Sequence, residues 1–148
     1  MKKIRLHRAL SGKEAAAIAR ETLASRGIKP PEPGDVMPDG TIFAGLSPDT
    51  GKSMYTTPAD MPKLMSFTWA QFFALGFEAH DHKDWRLPSK AELQVLFNNR
   101  TAIGGFDLNS SYWSETASGE TAAWGQRFND GVQLRYINAA PLSVRCVR

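Results

Sequence analysis

The last third of the chain restricts the fold most. From residue 103 to 147 the sequence divides into IGGFD, YWSET, TAAWGQRF, VQLRYI and LSVRCV, with SGE, NDG and NAAP between the later runs. Runs of this length, rich in aromatic and β-branched residues and spaced by turn formers, predict an antiparallel sheet rather than strand-helix-strand units.

Everything before that region carries helix boundaries instead. Residues 11–27 form one helix by this reading: Ser11 and Glu14 make a capping box, Leu10 staples onto Ala15, and Gly27 with Ile28 closes the end against Leu23. PPEPGDVMPDG at 30–40 is an extended connector ending in an Asp-Gly turn. TIFAG (41–45) and SMYTT (53–57) predict a hairpin around SPDTG. In FTWAQFFALGF, Thr68 and Gln71 make a second box, Phe67 staples onto Phe72, and Gly76 with Phe77 ends the helix.

The third helix, residues 89–99, follows WRLPSKAEL. Ser89 and Glu92 form its capping box, Pro88 stiffens the entry, and Leu93, Leu96 and Phe97 share one face. Trp85 and Leu87 anchor the approach, which leaves Arg86 and Lys90 to face a ligand or solvent. Helices first and sheet last make an α+β chain, divided into an N-terminal helix with its Pro-rich connector (1–33) and a main domain (34–148). At 148 residues, 42% hydrophobic and 22% charged, it has the size and balance of one soluble globular unit.

The formal charge is +3, and Lys2, Lys3, Arg5 and Arg8 stand together without an acid. No basic stripe continues beyond them, so a solvated arm is expected and nucleic acid is not an expected partner. No apolar run has signal-peptide or membrane-span length, which predicts a chain cytoplasmic as synthesised, with export by a non-classical route or on a phage particle as the alternative. Ala15, Ala16, Ile18, Ala19 and Leu23 give the first helix an apolar stripe that buries either in its own domain or in a partner, a route to an oligomer.

Little in the sequence demands chemistry. His80, Asp81, His82 and Asp84 in HDHKD are metal-ligand types, but between two helices and with no later histidine they predict a solvated turn and no metal. Cys146, the single cysteine, alternates with Leu142 and Val144 on an apolar face, opposite Ser143 and Arg145, and reads as a small hydrophobe. Glu115 and Glu120 flank an SGE turn as solvated acids. There is no GxSxG, phosphate loop, dinucleotide fingerprint or HExxH, so neither catalysis nor a cofactor is expected. Trp69, Trp85, Trp113 and Trp124 read as core, while Tyr112 and Tyr136 are the better surface aromatics.

WRLPSKAEL (85–93), GGF (104–106), YWSE (112–115), AWGQRFNDG (123–131) and VRCVR (144–148), in that order, resemble the bacterial domain family named after the C-terminal domain of the Legionella collagen-like adhesin. The resemblance covers roughly residues 34–148. It implies a variant of the C-type-lectin fold, two helices flanking a twisted antiparallel sheet, related in architecture to formylglycine-generating enzymes and to retroelement variable proteins. On it, Trp85, Ser89, Glu92, Trp113, Trp124, Phe128, Gly131 and Cys146 are structural positions. The oxidase cysteine pair is missing, and FND at 128–130 stands without EPN or QPD, so neither that chemistry nor calcium-dependent sugar binding carries over. The adhesin domain's association with polyanionic sugars has no basic cluster to match here.

The expected function is therefore a non-enzymatic recognition module for a protein or glycan, presented by the C-terminal sheet and its turns. Alternation places Gln133 and Arg135 opposite Val132, Leu134 and Tyr136, the turns add Glu115, Ser118, Glu120, Asn129, Asp130 and Asn138, and Tyr112 joins them as a surface aromatic. The less patterned QLRYINAAPL suits a retroelement-diversified surface. The alternatives are a structural component of a phage or secretion particle, docked through the first helix, and an altered relative of the formylglycine-generating enzymes.

Overall fold

The structure is a computed structural model that describes residues 9–148, so the basic arm at Lys2, Lys3, Arg5 and Arg8 lies outside the described residues. Its elements are α1 (Gly12–Ser25), β1 (Ile42–Leu46), β2 (Ser53–Thr56), α2 (Phe67–Gly76), α3 (Lys90–Asn98), α4 (Arg100–Ile103), β3 (Ser111–Ala117), β4 (Ala122–Arg127) and β5 (Gln133–Ile137). This is an α+β fold with an N-terminal helix, as expected.

α1 starts where its caps dictate. The Ser11 side chain accepts from the Glu14 N–H, and at the far end Ile28 N–H reaches Leu23 O (2.9 Å) while Gly27 N–H reaches Ala24 O (3.0 Å), the double bond pattern of a Schellman close. Its apolar stripe is only half covered. Ala16 and Leu23, half-buried, line a cleft shared with the hairpin side chains Phe43 and Leu46, and no residue of α1 is fully buried.

α2 begins two residues earlier than the Thr68 box predicts. Ser66 is the cap, accepting from Trp69 N–H, and the end at Phe77 is extended rather than a glycine-closed turn. The shift has a plain cause: FTWAQFFALG is apolar on every side, so periodicity cannot say which face is inner. Starting at Phe67 turns Phe67, Ala70 and Ala74 inward. Phe72 is left exposed, which rules out the expected staple, and Trp69, at 65% exposure, is not a core residue.

β1 and β2 pair antiparallel as a hairpin with a bulge between Phe43 and Gly45, and β3-β4-β5 form a three-stranded meander. α2 covers the meander face that carries Trp113, Ala123 and Tyr136; α3 covers part of the other, where Leu93 and Leu96 meet Tyr112 and Phe128. Two predicted strands do not form as such. Ile103 belongs to α4 and GGF is a loop, because the Arg100–Ile103 turn extends the helical region. LSVRCV is an extended segment making single bridges to Met65, Tyr112, Arg86 and Thr56 in turn. It runs between the hairpin and the meander, so both of its faces are covered.

That position explains Arg145, which is fully buried despite alternating with the apolar residues. Its guanidinium donates to Asp60 (2.8 Å), Thr57 O (2.8 Å) and Gly104 O (3.2 Å), and lies over the Phe106 ring at 4.0 Å. A buried charge survives only when paired and hydrogen-bonded, as here. Tyr112, expected at the surface, is also fully buried. Its hydroxyl donates to the same Asp60 and accepts from Asp107 N–H (2.8 Å), and burial together with the Asp60 carboxylate drives its pKa well up.

Gly105, in the GGF loop, has φ +75, and a Cβ there would lie 2.2 Å from Pro58 O. Both the left-handed backbone and the contact with another main chain exclude a side chain. Gly105→Ala is expected to lose about 2–3 kcal/mol in urea unfolding; a change within 0.5 kcal/mol, the range of ordinary surface substitutions, would contradict this.

Candidate functional site

The ladder register decides which side chains of the meander share a surface. Trp124 pairs with Arg135 and Ala122 with Ile137, and residues directly opposite in an antiparallel pair project to the same face. This is the face α3 covers only in part. Toward its uncovered end lie Trp124, half-buried, and Arg135 and Ile137, exposed. Lys90, at the start of α3, places its ammonium 3.5 Å from the centroid of the Trp124 ring. Such a contact is worth about 0.5–1 kcal/mol at an accessible site. The result is a strip of cation, indole, cation and aliphatic side chain on a rigid sheet.

Hydrogen bonds fix this strip from beneath. Gln133 reaches Lys90 O (2.8 Å) and Gln126 Oε1 (3.3 Å), which ties α3 to the sheet, and Arg135 donates to Ser118 O (3.2 Å) across the SGE turn. The Asn138 side-chain amide donates to Glu120 O (3.2 Å) while its main-chain carbonyl accepts from Phe67 N–H (2.8 Å), so it clasps the start of α2 to the end of β5. In the NDG turn Asp130 pairs with Arg127 and accepts from Val132 N–H (3.1 Å), and the Arg127 guanidinium holds its carboxyl below the usual range.

The ten sequence-derived candidates therefore separate. Glu115, Glu120, Asn129, Asp130 and Arg135 are exposed, and Ser118, Gln133, Tyr136 and Asn138 are half-buried and hydrogen-bonded. Tyr136 faces the α2 side, its hydroxyl shared with Ser111 Oγ (2.8 Å) and its ring edge on Trp113, so it stands on the opposite face from Arg135. Tyr112 is removed from any surface. Sequence reasoning gave Trp124 to the core because an alternating strand looks the same whichever end of its face a helix covers. Trp69, Phe72 and Leu75 were missed as an exposed group for the reason given above for α2.

The remaining chemical candidates fall into structural roles. His80 and Asp81 have φ of 53 and 62 in a two-residue turn closed by the Ala79–His82 bridge, and both histidines bond Asp39: His80 Nδ1 its carbonyl (2.9 Å), His82 Nε2 its carboxylate (2.7 Å). With Thr41 also donating to it, the Asp39 carboxyl sits far below its ordinary value. HDHKD thus braces the connector. Cys146 is buried without contact to solvent, and burial pushes its thiol up to about 12, which leaves no thiolate to act as a nucleophile at neutral pH.

The WRLPSKAEL stretch is a joint. Ser89 Oγ accepts from Glu92 N–H (3.1 Å) and Glu92 Oε1 accepts from Ser89 N–H (2.9 Å), the complete box, and Arg86 adds two bonds to the same carboxylate at 2.6 and 2.7 Å. Burial alone would raise the Glu92 carboxyl, but Arg86, the Ser89 N–H and the Ser47 hydroxyl outweigh it and hold it at about 2. Trp85 and Trp113 sit in the α2-side core, and their indole N–H groups donate to Ala79 O (3.1 Å) and Met65 O (2.7 Å). Phe128 is in the α3-side core, and Gly131 at φ +79 leaves room for the Phe97 ring.

No curated protein matches the chain. The hairpin strand β1 packs in the same core as the rest, yet it precedes the segment for which a relationship is found. That segment contains every phrase from WRLPSKAEL to VRCVR, whose residues build the joint, the two cores and the buried arginine just described. Residues 49–148, more than half of the chain, match the Lcl C-terminal domain, and the chain belongs to that adhesin-like family.

Proposed function

We propose that this chain is a non-enzymatic recognition module whose ligand, a protein or a glycan, meets the outer face of the C-terminal meander. The observation that carries the reading is the Lys90–Trp124–Arg135 strip, an indole left half-open between two cations on a hydrogen-bonded sheet. A Trp gives rigid contact area at low entropic cost and an Arg gives directed donors, and both residue types are enriched in binding hot spots. Glu120, Asn129 and Asp130 add polar groups from the turns. The inert thiol of Cys146 supports a binding role over that of a formylglycine-generating relative.

The test is a screen of glycans and protein partners against the full chain, repeated with Trp124→Ala and Arg135→Ala. Each substitution is expected to weaken a ligand found in this way by about tenfold or more, while circular dichroism remains that of the parent. A ligand bound equally well by both variants would place the site elsewhere. A diversified surface, if the gene carries one, would reside at Arg135, Ile137, Ala139 and Pro141, the exposed residues of QLRYINAAPL. A near copy of the last hundred or so bases, differing at adenines beside a reverse transcriptase gene, is the observation that bears on it; a lone gene in an unrelated operon counts against it.

A further inference from the structure

Away from the sheet strip, α2, residues 85–87 and the Glu115 end of β3 enclose a pocket of about 170 Å³. Its walls are apolar where Leu75, Trp85 and Leu87 line it, and its polar groups are Gln71, Arg86 and Glu115. The charges do not balance. Both terminal nitrogens of Arg86 are committed to Glu92 at 2.6 and 2.7 Å, while the Glu115 carboxylate has no hydrogen-bond or ion-pair partner among the described residues. Asp49, held close by Ser89, adds a further negative charge felt at both Arg86 and Glu115.

We propose that this pocket binds a primary alkylammonium group, the chemistry of a lysine side chain, with its stem against Leu75, Trp85 and Leu87 and its charge on Glu115. The alternatives lose on simple electrostatics. An apolar occupant would strip water from Glu115 and leave a charge unpaired, and an anion would face Glu115 with Asp49 behind it, while the Arg86 charge is already offset by Glu92. A neutral hydroxyl would satisfy a lone pair but not the charge. The size agrees: five heavy atoms, at roughly 30 Å³ for each water-sized group, fit the volume. Partial burial, which raises the Glu115 carboxyl from its ordinary value, also makes it a carboxylate that gains most from an incoming cation. This site is separate from the sheet strip and stands whether or not the strip binds a ligand.

The probe is n-butylammonium titrated into the full chain and followed by amide NMR shifts, with n-butanol as the neutral control. Saturable shifts are expected at Gln71, Leu75, Arg86, Leu87 and Glu115, at least about tenfold weaker with n-butanol, and weakened about tenfold by Glu115→Gln. Equal responses to the two probes, an unchanged response in Glu115→Gln, or no saturable shift would each overturn the proposal. The same titration in the Lys2→Gln, Lys3→Gln double variant separates two sources of the ammonium. A stronger response shows that Lys2 or Lys3 competes for the pocket; an unchanged one excludes these two as the source of the ammonium. Trp124→Ala should leave the titration unaltered, so failure here is distinct from failure of the sheet-face reading.

Discussion

Replacing Arg145 with methionine is expected to cost about 3–5 kcal/mol of stability, read as a lower urea midpoint at unchanged slope. The guanidinium is wholly enclosed, and its bonds join two segments, Thr57 and Asp60 in the connection before α2 and Gly104 after α4. Taking it away leaves the Asp60 carboxylate, among the described residues, with the Tyr112 hydroxyl as its remaining side-chain partner and two main-chain carbonyls without this donor. Breaking such a pair costs more than the pair itself is worth, because the abandoned Asp60 carboxylate, its side chain 17% exposed, regains only part of its hydration. Adding Asp60→Asn to the methionine variant should restore part of the loss, since the charge then disappears with its partner. A single-variant loss below about 1 kcal/mol would contradict the assignment, as that is what one ordinary hydrogen bond contributes.

The second large effect belongs to Glu92, whose side chain is 1% exposed. Glu92→Ala removes half of the capping box and isolates Arg86, for an expected loss of about 3 kcal/mol. The pH dependence follows from its lowered pKa. With the carboxyl at about 2 in the fold and 4.5 as its ordinary value, the unfolded chain takes up this proton first as acid is added. The contribution, about 3 kcal/mol, is therefore present above pH 4.5 and disappears as pH falls toward 2. Glu92→Gln should flatten that part of the profile. Parallel stability curves for the parent and this variant from pH 6 to 2 would exclude Glu92 as the source.

Both residues lie in phrases legible in the sequence, but to different degrees. SxxE before an apolar run states the capping box outright, because both partners lie within three residues of each other. Nothing local in SVRCV tells that Arg145 is buried, since its partner Asp60 is 85 positions away. The same division runs through the site. Alternation in QLRYI placed Arg135 and Tyr136 on opposite faces, and the structure agrees. Which of these faces a helix covers, and how far along, depends on the packing of α2 and α3, and this is where Tyr112, Tyr136, Trp69 and Trp124 depart from expectation.

By itself the sequence determined the α+β class, the Ser11 and Ser89 helix starts, both hairpin strands, the three strands of the meander and the family, because caps, turns and two-residue periodicity are short-range facts. The tertiary structure alone decided the start of α2, the enclosure of the C-terminal segment, the burial of Arg145 and Tyr112, and the exposure of the Lys90–Trp124–Arg135 strip. Each of those depends on which surfaces meet across tens of residues, and an apolar or alternating pattern fixes only that a face is to be covered, not by what or to what extent.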